Sequence, residues 1–165
     1  MTTGYRIELD DGDVRAALGR LLAAAEDMTP LMDLLGAHLT QTTRERFEDG
    51  KGPDGTPWPP SARATAQGGQ TLVDSARLLG SIGHEAGRAY VEVGTNVIYA
   101  AIHQRGGTIR ARSGGKLKFR IGGAFVAVDS VTMPARPFLG VSAEDVAEIR
   151  LIVNDYLSGA AGAAP

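Results

Sequence analysis

The chain contains no cysteine, and this absence removes several classes of protein at once. Without thiols there is no disulfide scaffold, no thiolate zinc site, no cysteine nucleophile and no thiol redox chemistry. Aromatic residues are scarce, at 5% of 165 residues, whereas 22 glycines and 8 prolines predict many turns. The hydrophobic share of 43% is still enough to fill the core of about one domain. We also find no apolar run approaching the ~20 residues of a membrane helix and no secretory signal pattern. We therefore expect a protein that folds in a cytoplasm and has no membrane partner.

Motifs for catalysis and metal binding are missing as well. The three histidines (His38, His84 and His103) have no metal-ligand spacing, and neither a phosphate-binding loop nor a nucleophile elbow occurs. His103 lies near a Gly-Gly break and a basic segment, where structural hydrogen bonding is favoured over catalysis. A deep pocket around His103 would be the best support for an enzyme. We predict a protein that is not an enzyme and that uses no cofactor or metal.

Charge is distributed unevenly, although the formal net charge is only −2. Residues 1–49 carry ten acidic and five basic residues, whereas residues 93–128 carry six basic residues and no acidic one. Opposite poles of this kind allow copies of a chain to meet head to tail, or allow the basic end to contact phosphate. Two solvated faces that meet nothing are the alternative that charge alone leaves open.

The apolar periodicity predicts a single α+β domain over residues 1–157. Two helices, from Asp13 to about residue 25 and from Thr29 to about Glu48, are expected to form an N-terminal helical hairpin. An antiparallel sheet of hairpins should follow from Ile82, and a capping box at Ser142 and Asp145 predicts a C-terminal helix. A short helix is expected between about residues 74 and 81. The stretch 62–71 is predicted to be the most mobile, and residues 158–165 to be a flexible tail.

The basic residues are concentrated in a predicted extended hairpin near residues 107–121. Residues 108–112 and 116–121 are expected to pair around a Ser-Gly-Gly turn, and the alternation in Leu117-Lys-Phe-Arg-Ile121 predicts one buried and one positive face. This hairpin is the candidate for contact with a further copy of the chain or with phosphate. The residues expected to make these contacts are Arg110, Arg112, Lys116, Lys118 and Arg120.

Trp58, the only tryptophan, lies in the proline-rich segment GKGPDGTPWPP. Because a tryptophan is costly to leave in water, this loop either folds back on its own core or docks on a neighbour. Packing on the chain's own helices is the favoured alternative, and an anchor between subunits is the second.

Four segments in order resemble the virion morphogenesis (tail completion) family of tailed phages, Mu-like G proteins included. The first is Phe47 with Pro53-Asp-Gly-Thr-Pro-Trp58, and the second is Leu72-Val-Asp-Ser-Ala-Arg-Leu-Leu-Gly-Ser-Ile82. The third runs from Val93 to Thr108, and the fourth is Pro134-Ala-Arg-Pro-Phe-Leu-Gly-Val-Ser142. Together they cover the chain from about Phe47 to about Tyr156. Ala76 departs from the pattern, because the family is expected to have glycine there, and Arg105 stands where an aromatic residue is common.

The resemblance implies a non-enzymatic structural protein that completes the tail or joins it to the head, located in the virion tail or neck after assembly in the bacterial host cytoplasm. The expected partners are further copies of the chain, in a ring expected to be hexameric, and neighbouring tail or head-connector proteins. Non-specific contact with DNA passing the channel is also expected, so the basic hairpin is expected to face a neighbouring subunit or that channel. No cofactor is expected. The alternatives are a free DNA-binding module that uses the basic hairpin, and a head morphogenesis factor.

Overall fold

A computed structural model of the chain describes residues 10–112, 114–121 and 123–162 and confirms the α+β class. The described helices are α1 (Gly12–Glu26), α2 (Thr29–Asp49), α3 (Ala62–Gln67), α4 (Arg77–Gly80), α5 (Ala100–Arg105) and α6 (Ala143–Ala161). The strands form three two-stranded antiparallel sheets. They are β1 (Gly83–Ala86), β2 (Val91–Gly94), β3 (Gly107–Arg110), β4 (Leu117–Ile121), β5 (Ala124–Val128) and β6 (Ser130–Met133). None of the described helices is long and apolar enough to cross a membrane.

Helix α2 is the element around which the other elements pack. Its start is fixed by Asp27, whose carboxylate accepts hydrogen bonds from the Thr29 amide at 3.0 Å and the Thr29 hydroxyl at 2.6 Å. Gly50, with φ 66°, ends the helix in the left-handed conformation. One side of α2 packs on the β1–β2 hairpin and another on α6. Gly36 is required for the first contact, because a Cβ there would lie 2.3 Å from the His84 ring.

The predicted N-terminal helical hairpin is wrong in one respect: both helices are present, but α1 packs along α6 rather than on α2. The reason is that the β1–β2 hairpin and α6 already cover the apolar side of α2. The contact with α6 leaves part of the apolar stripe of α1 uncovered. Val14, Leu18 and Leu22 are each at least 60% exposed.

The core lies where α2, the proline-rich loop, α4, α5 and the segment before α6 meet. Phe47 and Phe138 are fully buried, with ring centroids 5.3 Å apart. The other buried members of this cluster are Trp58, Leu78, Ile82, Val97 and Ala100. The core is therefore assembled from segments far apart in sequence rather than from the faces of one sheet.

Two segments predicted to be mobile are helical over most of their described length. In the first, the Ser61 hydroxyl accepts the Ala64 amide at 3.1 Å to cap α3, and Arg63 donates to the Gln70 and Val73 carbonyls. In the second, α6 continues to Ala161, beyond the boundary predicted after residue 157. Arg20 explains this extension, because its guanidinium donates to the Ala160 and Ala161 carbonyls at 3.2 and 2.6 Å. Residues 163–165 lie outside the described residues.

Ala76, which occupies the position where the family is expected to have glycine, has a left-handed backbone. Its φ is +56°, directly before α4. This conformation raises the free energy of a residue that has a Cβ, but not that of glycine. The backbone therefore gives a physical reason for the glycine expected there.

Candidate functional site: the β-arm

The basic residues lie on a β-ribbon of two successive strand pairs, described over residues 107–112, 114–121 and 123–133, which we call the β-arm. The predicted pairing of residues 108–112 with 116–121 is wrong. Strand β3 pairs with β6 (Arg110 opposite Ser130), and β4 pairs with β5 (Leu117 opposite Val128). The hairpin is therefore β4–β5, in which Ile121 pairs with Ala124, and not β3–β4. Strands β5 and β6 match their partners β4 and β3 in length, at five and four residues, and add apolar cross-strand pairs such as Ile109 with Val131 and Phe119 with Val126.

The two halves of the β-arm are out of register by five residues. Ala111 donates its amide to the Asp129 carbonyl at 2.9 Å, and the next pair is Leu117 with Val128. Ala111 and Leu117 thus pair with adjacent residues although they are six positions apart, and the partner strand bends at Asp129. Two of the predicted contact residues, Arg112 and Lys116, lie between Ala111 and Leu117 and not on a strand.

One face of the outer half of the arm is positive. Lys118 and Arg120 point to the same side, opposite Ala127 and Phe125, and all four are exposed. Phe125 is 65% exposed beside Arg120. This face therefore combines positive charge with an uncovered aromatic ring.

The five predicted contact residues are all exposed, but the structure does not place them on one face. Arg110 belongs to the β3–β6 pair, away from Lys118 and Arg120. The Lys116 ammonium lies 2.6 Å from the Asp129 carboxylate, an acidic residue just beyond the acid-free stretch. Lys118 and Arg120 are the two that share a strand face.

The opposite face of the arm is apolar and only partly covered. The predicted buried side of β4, Leu117, Phe119 and Ile121, is half-buried rather than buried. Leu117, Lys118 and Phe119 line a groove of about 310 Å³ together with three residues of the inner pair, β3–β6. The residues from the inner pair are Ile109, Val131 and Met133. Sequence reasoning missed these three, and the signal available was their alternation with polar residues along β3 and β6.

Trp58 lies in the core of its own chain, 6% exposed. Its ring meets Phe47 edge to face with centroids 5.5 Å apart, and its Nε1 donates to the Pro137 carbonyl at 2.9 Å. The favoured alternative, packing on its own chain, is therefore what the structure shows. Trp58 presents almost no surface to a neighbour, so its assignment as an anchor between subunits is corrected.

A cleft of about 400 Å³ does lie beside His103. Burial and the positive charge of Arg136 lower the pKa of His103. In the described part of the chain, however, no hydrogen bond joins the His103 ring to a carboxylate or hydroxyl that could orient it as a base. The described residues also contain no group of three acidic or histidine side chains that could hold a metal ion. Among the described residues the cleft therefore shows neither an oriented base nor a metal-binding group.

The model of the phage virion morphogenesis family matches residues 9–158, and the chain is a member of that family. It is 33% identical over 151 residues to the Mu-like prophage FluMu G protein 2 of Haemophilus influenzae, a match that covers 91% of this chain and 94% of that protein. No solved structure is significantly similar to the chain.

Proposed function

We propose that the chain is a structural, non-enzymatic virion protein that acts in tail completion or head–tail joining, as a subunit of a ring at the neck. Membership of the virion morphogenesis family supports the general role. The observation that carries the finer one is the β-arm, which has an exposed positive face and an uncovered apolar groove on the other side. A surface with both properties fits a partner rather than water alone.

A closed ring requires heterologous contacts, in which one surface meets a different surface of the next copy. The α1 helix offers a complementary surface to the arm. Its Val14, Leu18 and Leu22 are exposed, and Asp10, Asp11 and Asp13 lie at its N-terminal end. We expect the arm of one subunit to lie on the α1 surface of the next, with Phe125 against the apolar stripe and Lys118 and Arg120 near the carboxylates.

The absence of cysteine allows a direct test of this contact. In a chain carrying Leu18→Cys and Phe125→Cys, mild oxidation should give covalent oligomers up to the size of the ring. The matched control replaces Leu18→Cys by Glu92→Cys, an exposed position on β2, and should stay monomeric under denaturing electrophoresis. Equal cross-linking in both chains would contradict the proposed contact.

Charge reversal in the phage tests the function itself. A phage with this gene deleted should give full heads beside separate tails by electron microscopy, and the natural gene supplied in trans should restore joined particles.

A gene that carries Lys118→Glu with Arg120→Glu should fail to restore joined particles. The control, Arg88→Glu with Arg150→Glu, reverses two exposed charges outside the arm and should restore joining. Joined particles from the arm variant would overturn the role of the arm, and joined particles from the deletion would overturn the proposed function.

Two rival roles give different results in the same material. A free DNA-binding module would bind duplex DNA as an isolated monomer, with an affinity that falls steeply with salt and falls again on charge reversal of the arm. A head morphogenesis factor would leave no full heads in the deletion lysate. The observation that favours the DNA-binding alternative is the exposure of Lys118 and Arg120.

A further inference from the structure

The cleft beside His103 is lined by an unusual number of cations for its size. It lies between α3, the segment 72–78 and α5, and three arginines (Arg63, Arg77 and Arg136) contribute to its wall together with His103. Leu78 and Tyr99 are among its apolar lining residues. Asp74 is the one carboxylate in the lining, and its side chain is 80% exposed.

Arg136 is the deepest of these cations, at 3% exposure. Its Nε donates to the Pro59 carbonyl at 2.7 Å and its Nη2 to the Pro60 carbonyl at 3.3 Å. Its Nη1 has no hydrogen-bond partner in the described part of the chain, and none of the carboxylates described there pairs with this guanidinium. A buried guanidinium normally pairs with an anion, because neutral carbonyls compensate only part of the cost of burying its charge.

The other cations of the cleft are only partly balanced. Arg63 donates to the Gln70 and Val73 carbonyls, and its Nε lies 3.6 Å from the Asp74 carboxylate, beyond hydrogen-bonding distance. Arg77 is exposed at the rim on α4. The cleft therefore carries a net positive charge, and the buried guanidinium of Arg136 forms part of its wall.

We propose that this cleft binds the carboxylate side chain of an acidic peptide segment from a protein partner. The carboxylate lies between Arg136 and Arg77, which donate charge-assisted hydrogen bonds, and an apolar neighbour of the acidic residue packs on Tyr99. A slender side chain reaches Arg136, whereas the phosphates of a DNA duplex require cations at an exposed surface.

The test is a titration of the full chain with a capped tetrapeptide, acetyl-Leu-Asp-Glu-Leu-amide, followed by NMR of the histidine rings. His103 resonances are assigned with His103→Gln. The bound carboxylate should shift the His103 resonances and raise the pKa of His103, because it offsets the positive charge of Arg136. The amide analogue acetyl-Leu-Asn-Gln-Leu-amide should cause no comparable shift. Equal shifts with both peptides, or none with the acidic peptide, would overturn the proposal.

Variants at the rim separate recognition from folding. Arg77→Ala leaves the hydrogen bonds of Arg136 in place and should weaken binding of the acidic peptide about tenfold. Arg150→Ala, an exposed position on α6, should leave the affinity unchanged. If inorganic phosphate bound as well as the acidic peptide, the cleft would be a simple anion site and the peptide proposal would fail. If duplex DNA bound and Arg77→Ala weakened that binding, the cleft would serve nucleic acid instead.

Discussion

Arg46 near the end of α2 and Asp145 in the first turn of α6 form a buried ion pair, 99 residues apart in sequence. The Arg46 guanidinium also donates to the Phe138 and Gly140 carbonyls at 3.0 and 2.8 Å. The carboxylate of Asp145 accepts the Ser142 amide at 2.7 Å in the capping box. One pair of charges thus joins two helices, the connecting segment and a helix cap.

Asp145→Ala should destabilise the protein by about 3–5 kcal/mol, because it leaves the Arg46 charge buried without its partner. The measurement is the free energy of unfolding in urea. Asp155→Ala, an exposed acidic position on the same helix, is the control and should change this energy by less than about 0.5 kcal/mol. Equal effects of the two substitutions would show that the pair contributes little.

The same pair should make stability depend on pH in the acid range. Burial alone would raise the pKa of Asp145, but hydrogen bonds from Ser142 and the charge of Arg46 outweigh it and hold the pKa below 3.8. Since the unfolded chain binds this proton more readily, the contribution of Asp145 is complete above about pH 4 and is lost as the pH falls through the folded-state pKa.

Unfolding of the natural chain and of Asp145→Asn, from pH 7 down to about pH 2, checks this dependence. The difference between their unfolding energies should be constant near neutrality and shrink below about pH 4. Because His38 Nε2 lies 3.5 Å from the other carboxylate oxygen, the series is repeated in His38→Gln to remove this contact. A difference that does not change with pH would contradict the assignment.

Trp58→Ala should cost about 3–5 kcal/mol through the lost packing on Phe47 and the lost hydrogen bond to Pro137. Trp58→Phe retains a ring against Phe47 and should cost less. Circular dichroism in urea measures both, because the substitutions remove the only tryptophan and its fluorescence. A Trp58→Ala chain of normal stability that failed to assemble would restore the residue as an anchor between subunits.

Ala76→Gly should stabilise the protein by about 0.5–1 kcal/mol. Glycine removes the strain of a Cβ at φ +56°, and this gain exceeds the conformational entropy that glycine adds to the unfolded chain. Ala23→Gly, at an exposed position within α1, is the matched control and should destabilise by up to about 1 kcal/mol. Destabilisation at both positions would show that the left-handed backbone of Ala76 is not strained.

Local sequence signals correctly predicted helix ends and one hairpin, because residues within or next to these elements determine them. The capping box at Ser142 and Asp145 correctly placed the start of α6, and Pro30 and Gly50 marked the ends of α2. The β1–β2 hairpin also follows the predicted alternation. In each case the residues that fix the element lie within or beside it.

Partners distant in sequence could not be predicted in the same way. The apolar stripe of α1 is compatible with packing on α2 or on α6, and periodicity does not distinguish the two. The pairing of the β-arm depends on β5 and β6, which compete with the local Ser-Gly-Gly turn.

The predicted site was likewise found only in part. The exposure of the basic residues agrees with the sequence pattern, whereas the ion pair of Lys116 with Asp129 and the recessed position of Arg136 required the tertiary structure. Arg136 lies between two prolines in a segment that was noted for its resemblance alone. Nothing in that local pattern indicates a buried cation.

The bend at Asp129 determines how the length of the β-arm can change. Side chains alternate along each strand, and Leu117 and Phe119 of the outer hairpin line one groove with Val131 and Met133 on the other side of the bend. Adding or removing an even number of residues on each strand of the outer hairpin preserves this separation of charge from apolar surface. Adding or removing an odd number of residues would instead move the charged side chains beyond that point to the apolar face. Among relatives, arms should therefore differ in length by multiples of two residues per strand.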